Sequence, residues 1–160
     1  MLDTIFGLPM HPLIVHATVV LVPLAAVVVA LAALWPRFRA WAGHLPLGVS
    51  ALALLLVPLS TSSGEELEQR VRETQLIEKH PDMAEGLLPW VAILAVAALV
   101  MAVGTWRNRS GNRESVSRSI FAAVIVVALI GSIGTLAQVG RIGHSGAKAS
   151  WSEAGAAAKP

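Results

Sequence analysis

The sequence predicts an all-α integral membrane protein, a four-helix bundle with both termini extracytoplasmic and a short outer-surface helix between spans 2 and 3. Three observations predict it. Of the 160 residues, 55% fall in the set AVILMFWYC and 14% are charged, whereas about 25% of an ordinary soluble domain is charged. The apolar residues gather into four long runs, and the few charges are sorted by sign between the segments that join them. A soluble bundle of helices that are apolar all round would have no polar face for water, so the bilayer is the solvent.

The first run, residues 13–35, carries a single ionisable side chain, His16. At 1.5 Å per residue it reaches about 34 Å, enough for a hydrocarbon core of about 30 Å. No Lys or Arg occurs in residues 1–10, so this run is expected to stay attached as a span rather than act as a cleaved secretory signal. The second run, 40–59, is interrupted by His44, Pro46, Gly48 and Pro58; Pro46 suits a first turn, and Pro58 should bend the last one. Residues 64–86 are charged and place Glu66 and Glu68 four residues before Arg70 and Arg72, the favourable order for a helix. They read as the short outer-surface helix, ending before His80-Pro81. The third run spans 87–106. The fourth, 120–139, holds Gly131, Ser132, Gly134 and Thr135, small residues that let helix backbones approach closely in lipid. Together these form one four-span domain over 1–153, followed by a small-residue tail, 154–160, expected to be disordered.

Charge sets the orientation. The connections after spans 1 and 3 carry Arg37, Arg39, Arg107, Arg109, Arg113 and Arg118 against Glu114 alone, a balance of +5. All remaining charged residues lie on the opposite side and sum to −3. By the positive-inside rule the Arg-rich connections are cytoplasmic, with Trp35, Trp41 and Trp106 at the inner interface and Trp90 near the outer one. The expected location is the bacterial cytoplasmic (inner) membrane, multi-pass. A net charge of +2 gives no footprint for nucleic acid, and the lack of cysteine removes thiolate sites and disulfides.

In so apolar a chain the scarce polar residues are the informative ones. His11, His16, His80 and His144 all fall toward the outer side, and His44 toward the inner one. His16 lies about one turn inside the first span, where an ionisable group is costly and usually pairs or faces the interior. Imidazole is the commonest metal ligand and an axial ligand of haem. His16, His80 and His144 are therefore candidate cofactor ligands, with His11 joining them in a metal site. Ser62, Ser63, Glu65, Glu66, Asp82 and Gln138 are the polar groups able to orient those imidazoles. The bound species would be haem b or a transition metal (Cu, Zn or Fe), serving electron transfer or metal handling. The competing reading is a non-catalytic small membrane subunit or scaffold whose histidines only organise packing, alongside another membrane protein or in a homo-oligomer. A transporter component is a third reading, weakened by the absence of an internal repeat. No catalytic residue is assigned: Gly143-His144-Ser145-Gly146-Ala147 does not match Gly-x-Ser-x-Gly, and no strand is expected before it.

The segments His11-Pro12-Leu13-Ile14-Val15-His16, Thr61-Ser62-Ser63-Gly64-Glu65, His80 and Gly143-His144-Ser145-Gly146-Ala147, in that order, resemble a family of uncharacterised bacterial four-span membrane proteins known as a domain of unknown function. The resemblance covers about residues 9–151. One departure is Ala17-Thr18, where family members often carry an aromatic and then a proline. The resemblance implies a four-helix membrane bundle with histidines near one end, loosely similar to b-type membrane cytochromes. With only His44 on the inner side, at most one haem, at the outer side, is expected.

Overall fold

The computed structural model describes residues 4–5, 8–68, 85–110 and 117–157. Two short strands, β1 (Thr4–Ile5) and β2 (Leu8–Pro9), pair antiparallel with Thr4 opposite Pro9. Among the described residues five helices follow: α1 (Met10–Leu34), α2 (Pro36–Ala42), α3 (Leu45–Glu68), α4 (Leu88–Arg109) and α5 (Arg118–Ala157). Four of them are long and apolar enough to cross a membrane, over Leu13–Leu34, Leu45–Gly64, Leu88–Arg107 and Arg118–Lys148. Helix is the natural conformation for such runs, because in lipid each backbone donor and acceptor must be satisfied within its own segment. The architecture is the expected all-α membrane bundle.

The boundaries differ from expectation in two informative places. The run that begins at residue 40 is divided: α2 ends at Ala42, and the span proper starts at Leu45. Pro36 forces the residue before it out of the helical region, and Trp35 is extended with φ −119° and ψ 98°. At the other end of α2, Gly43 takes φ 57° and ψ −112°, a conformation open mainly to glycine. Proline and glycine thus cut a short helix out of what hydropathy alone reads as one run. The last helix is also longer than its apolar stretch. It runs 40 residues, about 60 Å, and continues through Val139 to Ala157, into the segment expected to be a tail. The outer-surface helix expected over 64–86 lies mostly outside the described residues; residues 64–68 belong to the end of α3.

Buried positions share one pattern. On α1 they include Thr18, Val22, Ala25, Val29 and Ala32; on α3, Pro46, Ser50, Ala53 and Val57. Leu87, just before α4, continues it with Val91, Leu94, Ala98 and Met101 on α4, and Ala128, Gly131 and Thr135 do so on α5. Alternating steps of four and three give a 3.5-residue repeat, the spacing of a left-handed bundle with helices crossing at about 20°. Each span therefore has an inward face centred on such a seam and widened by neighbours such as Ala26, Ala33, Ala97 and Ser132, although its composition is apolar on every side.

In cross-section α1 and α4 each lie beside both α3 and α5, and they also touch each other across the middle. Two layers of core fill the interior. One joins Val22, Ala25, Ala53, Val57, Leu87 and Val91, with Val139 and Ile142 against it. The other joins Ala26, Val29, Ala32, Leu94, Ala97, Met101 and Ala128, with Phe38 and Phe121 against it. Alanine dominates because lipid supplies no hydrophobic drive between helices; close backbone approach and dispersion must hold them together. Gly134 shows this most directly, since a Cβ there would collide with the Trp90 ring, and one on Gly131 would fall 2.8 Å from Ile93 Cγ2.

The candidate site at the histidine end

The first of these layers fixes which residues share an end of the bundle. Val22, Val57 and Leu87 share one buried cluster, and Val139 packs against it. Continuing from there away from α2, α1 leads to His16 and His11, α3 to Ser60–Ser63, and α5 to His144 and Ser145. The end carrying His11, His16 and His144 is thus also the serine end of α3, as the alternating order of spans requires. His44 stands at the opposite end, just after Gly43.

The seam then separates these residues by phase. His16 is two residues from Thr18, off the seam, and its side chain is exposed; His144 is likewise two residues from Ile142 and exposed. Gln138 and Ser145 fall on the seam and are half-buried. Stepping back from Thr18 by three and then four residues reaches Val15 and then His11, so position 11 is in the inward register of α1. His16, Gln138 and Ser145 each make further polar or ring interactions. The bundle interior therefore does not receive the imidazole of His16, the residue that its depth singled out.

Hydroxyl groups at this end are already committed as donors. Ser62 Oγ donates to the Leu59 carbonyl at 3.3 Å and Ser63 Oγ to the Ser60 carbonyl at 3.0 Å. Their oxygens keep acceptor capacity, which suits them to orient an imidazole N–H. Glu65 and Glu66 lie on the last turns of α3. His80 and Asp82 lie outside the described residues, as do the side chains of His11, Glu65 and Glu66. Among the described residues no three His, Asp or Glu side chains come together as a metal site.

Haem between the helices finds no fit in the described interior. The space it would occupy beneath this end is filled by Val22, Ala25, Ala53, Val57, Leu87 and Val91, and His16 and His144 are not directed into it. A transport path is equally unsupported. The buried hydroxyls of Thr18, Ser50 and Ser132 donate to Ile14, Pro46 and Ala128 carbonyls of their own helices, at 2.8, 2.6 and 2.8 Å. Thr135 differs from these, since its buried hydroxyl oxygen has no partner among the described residues.

A family model described as "Predicted membrane protein (DUF2231)" matches residues 7–159. The chain belongs to this family. That match takes in α1 through α5 whole, together with all five histidines and both ends of the bundle. No curated protein and no solved structure matches the chain. The DUF2231 assignment agrees with the four apolar spans, and it makes this a multi-pass membrane protein.

Sequence reasoning missed the inward seam. Its signal is present: in runs without a polar face, Thr18, Ser50, Gly131 and Thr135 mark the buried side.

Proposed function

We propose that this DUF2231 protein is an extracytoplasmic metal-handling membrane protein. Its histidine end would bind a transition metal ion through His16, His80 and His144, with His11 as a further ligand. What supports this reading is the order of the helices: His16, His144 and Ser60–Ser63 each lie within about two turns of one core layer, on three different helices and at the same end. Neutral imidazoles supply the nitrogen donors that Zn, Cu and Fe accept. Ser62 and Ser63, already donating to backbone carbonyls, would accept N–H bonds from those rings and fix their tautomers. The exposure of His16 and His144 suits a rim site open to the aqueous side. The tightly filled interior argues against haem b held between helices and against a transporter.

Elemental analysis tests the reading on protein purified in mild detergent without chelator, then titrated with Zn²⁺ or Cu²⁺. About one ion per chain is expected, and no Soret band. His16→Ala should remove the bound metal while leaving the helical circular dichroism unchanged. Protein that is metal-free and takes up neither ion would make the histidines structural and favour the scaffold reading. A stoichiometric Soret band would instead restore haem.

A further inference from the structure

The opposite end of the bundle, where α2 packs, holds an arginine arrangement that no function above uses. Arg39 lies half-buried on α2. One guanidinium nitrogen donates to the Ala32 carbonyl at 3.0 Å, satisfying an acceptor in the last turn of α1. Its Cζ lies 4.6 Å from the centre of the Phe121 ring, on the first turns of α5. The guanidinium is thus held between two spans, and among the described residues its bond to Ala32 leaves most of its five N–H donors for another acceptor. Partial burial pushes its pKa below the usual arginine value, yet arginine stays protonated in proteins. Arg118, exposed, lies three residues before Phe121 and hence on the same face of α5. Among the described residues no carboxylate stands at this end to neutralise either charge.

The surroundings name the kind of partner. Trp35 and Trp41 are exposed on either side of Arg39 in sequence, and Leu34, at the end of α1, and Ile120, next to Phe121 in sequence, are exposed apolar residues at the span ends. Indoles of this kind settle at the headgroup level of a bilayer. A cation held at that level, with exposed aliphatic side chains at the ends of the adjoining spans, matches a molecule that is anionic at one end and hydrocarbon at the other. Neither a soluble anion nor an acidic protein segment would use the aliphatic part.

We propose that Arg39 and Arg118 form a binding site for the phosphate of an anionic glycerophospholipid, whose acyl chains lie along the α1–α5 boundary beside Leu34 and Ile120.

Native mass spectrometry of the full chain in detergent, equilibrated with equal amounts of phosphatidylglycerol and phosphatidylcholine, tests this. The expected spectrum retains phosphatidylglycerol preferentially. Arg118→Gln, which changes an exposed residue outside the core, should lower that retention about fivefold, the effect of one cation at a charged membrane surface. Arg141→Gln, at the histidine end, should leave retention unchanged and serves as the control for net charge. Arg39→Gln should lower retention at least as far, but it also removes the Ala32 bond, so Arg118→Gln is the deciding variant. Equal retention of the two lipids, or equal loss in Arg118→Gln and Arg141→Gln, would overturn the proposal. Displacement of the lipid by millimolar inorganic phosphate alone would also overturn it, by showing a site for a free anion.

Discussion

At the scale of single residues, Thr135 sets apart the cost of a buried polar group from the value of a hydrogen bond. Its hydroxyl is fully buried on the seam of α5 and unpartnered among the described residues, while Thr18, Ser50 and Ser132 each return a bond to the preceding turn. Thr135→Val keeps the branched shape and removes the orphaned oxygen, whose burial costs about 1–3 kcal/mol. The variant is expected to be more stable than the parent by about 1 kcal/mol or more in a denaturant titration in detergent. A loss of stability would instead mean that the hydroxyl has a polar partner such as a buried water. Residues of this kind also decide how legible the interior was. Because α1 is apolar all round, hydropathy carries no phase, and in the sequence only depth sets His16 apart. Depth could not show that a step of two residues from Thr18 puts it outside the seam.

At the scale of elements, spans 1 and 3 were legible almost to their ends, because a bilayer demands a minimum apolar length whatever the packing. The connection after span 1 was not. Ala40, Trp41 and Ala42 are hydrophobic enough to join the next span, and only Pro36 and Gly43 show that they belong to α2. Gly43 gives a clean test of that connection. Nothing lies within 4 Å of a Cβ built there, so the cost of Gly43→Ala is backbone strain alone, about 1–3 kcal/mol. Gly48 has equally open surroundings but lies inside α3, where Gly48→Ala should be neutral or stabilise by up to about 1 kcal/mol. Thermal unfolding in detergent should therefore rank Gly43→Ala below the parent and Gly48→Ala level with it or above. The reverse order would place the break between α2 and α3 elsewhere.

At the scale of the whole molecule, the sidedness expected from charge can be tested because the chain has no cysteine of its own. Ser62 and Ser110 are exposed at opposite ends of the bundle. In intact cells a membrane-impermeant maleimide should label Ser62→Cys and should reach Ser110→Cys only after permeabilisation. The opposite labelling would invert the topology and move the histidine end to the cytoplasm. The candidate site itself was legible only as far as its end of the molecule: chain order and charge assign His11, His16 and His144 to one end, but the angle of each around its helix is fixed by packing. That packing also has a mechanical side. Since α1 and α4 meet across the middle, the cross-section is a rhombus rather than a square, and α1 is the most buried span, with α4 next. The two outer corners, α3 and α5, barely touch. Each corner helix is instead held by its two neighbours, so a substitution on the lipid-facing side of α3 can reach α5 only by way of α1 and α4.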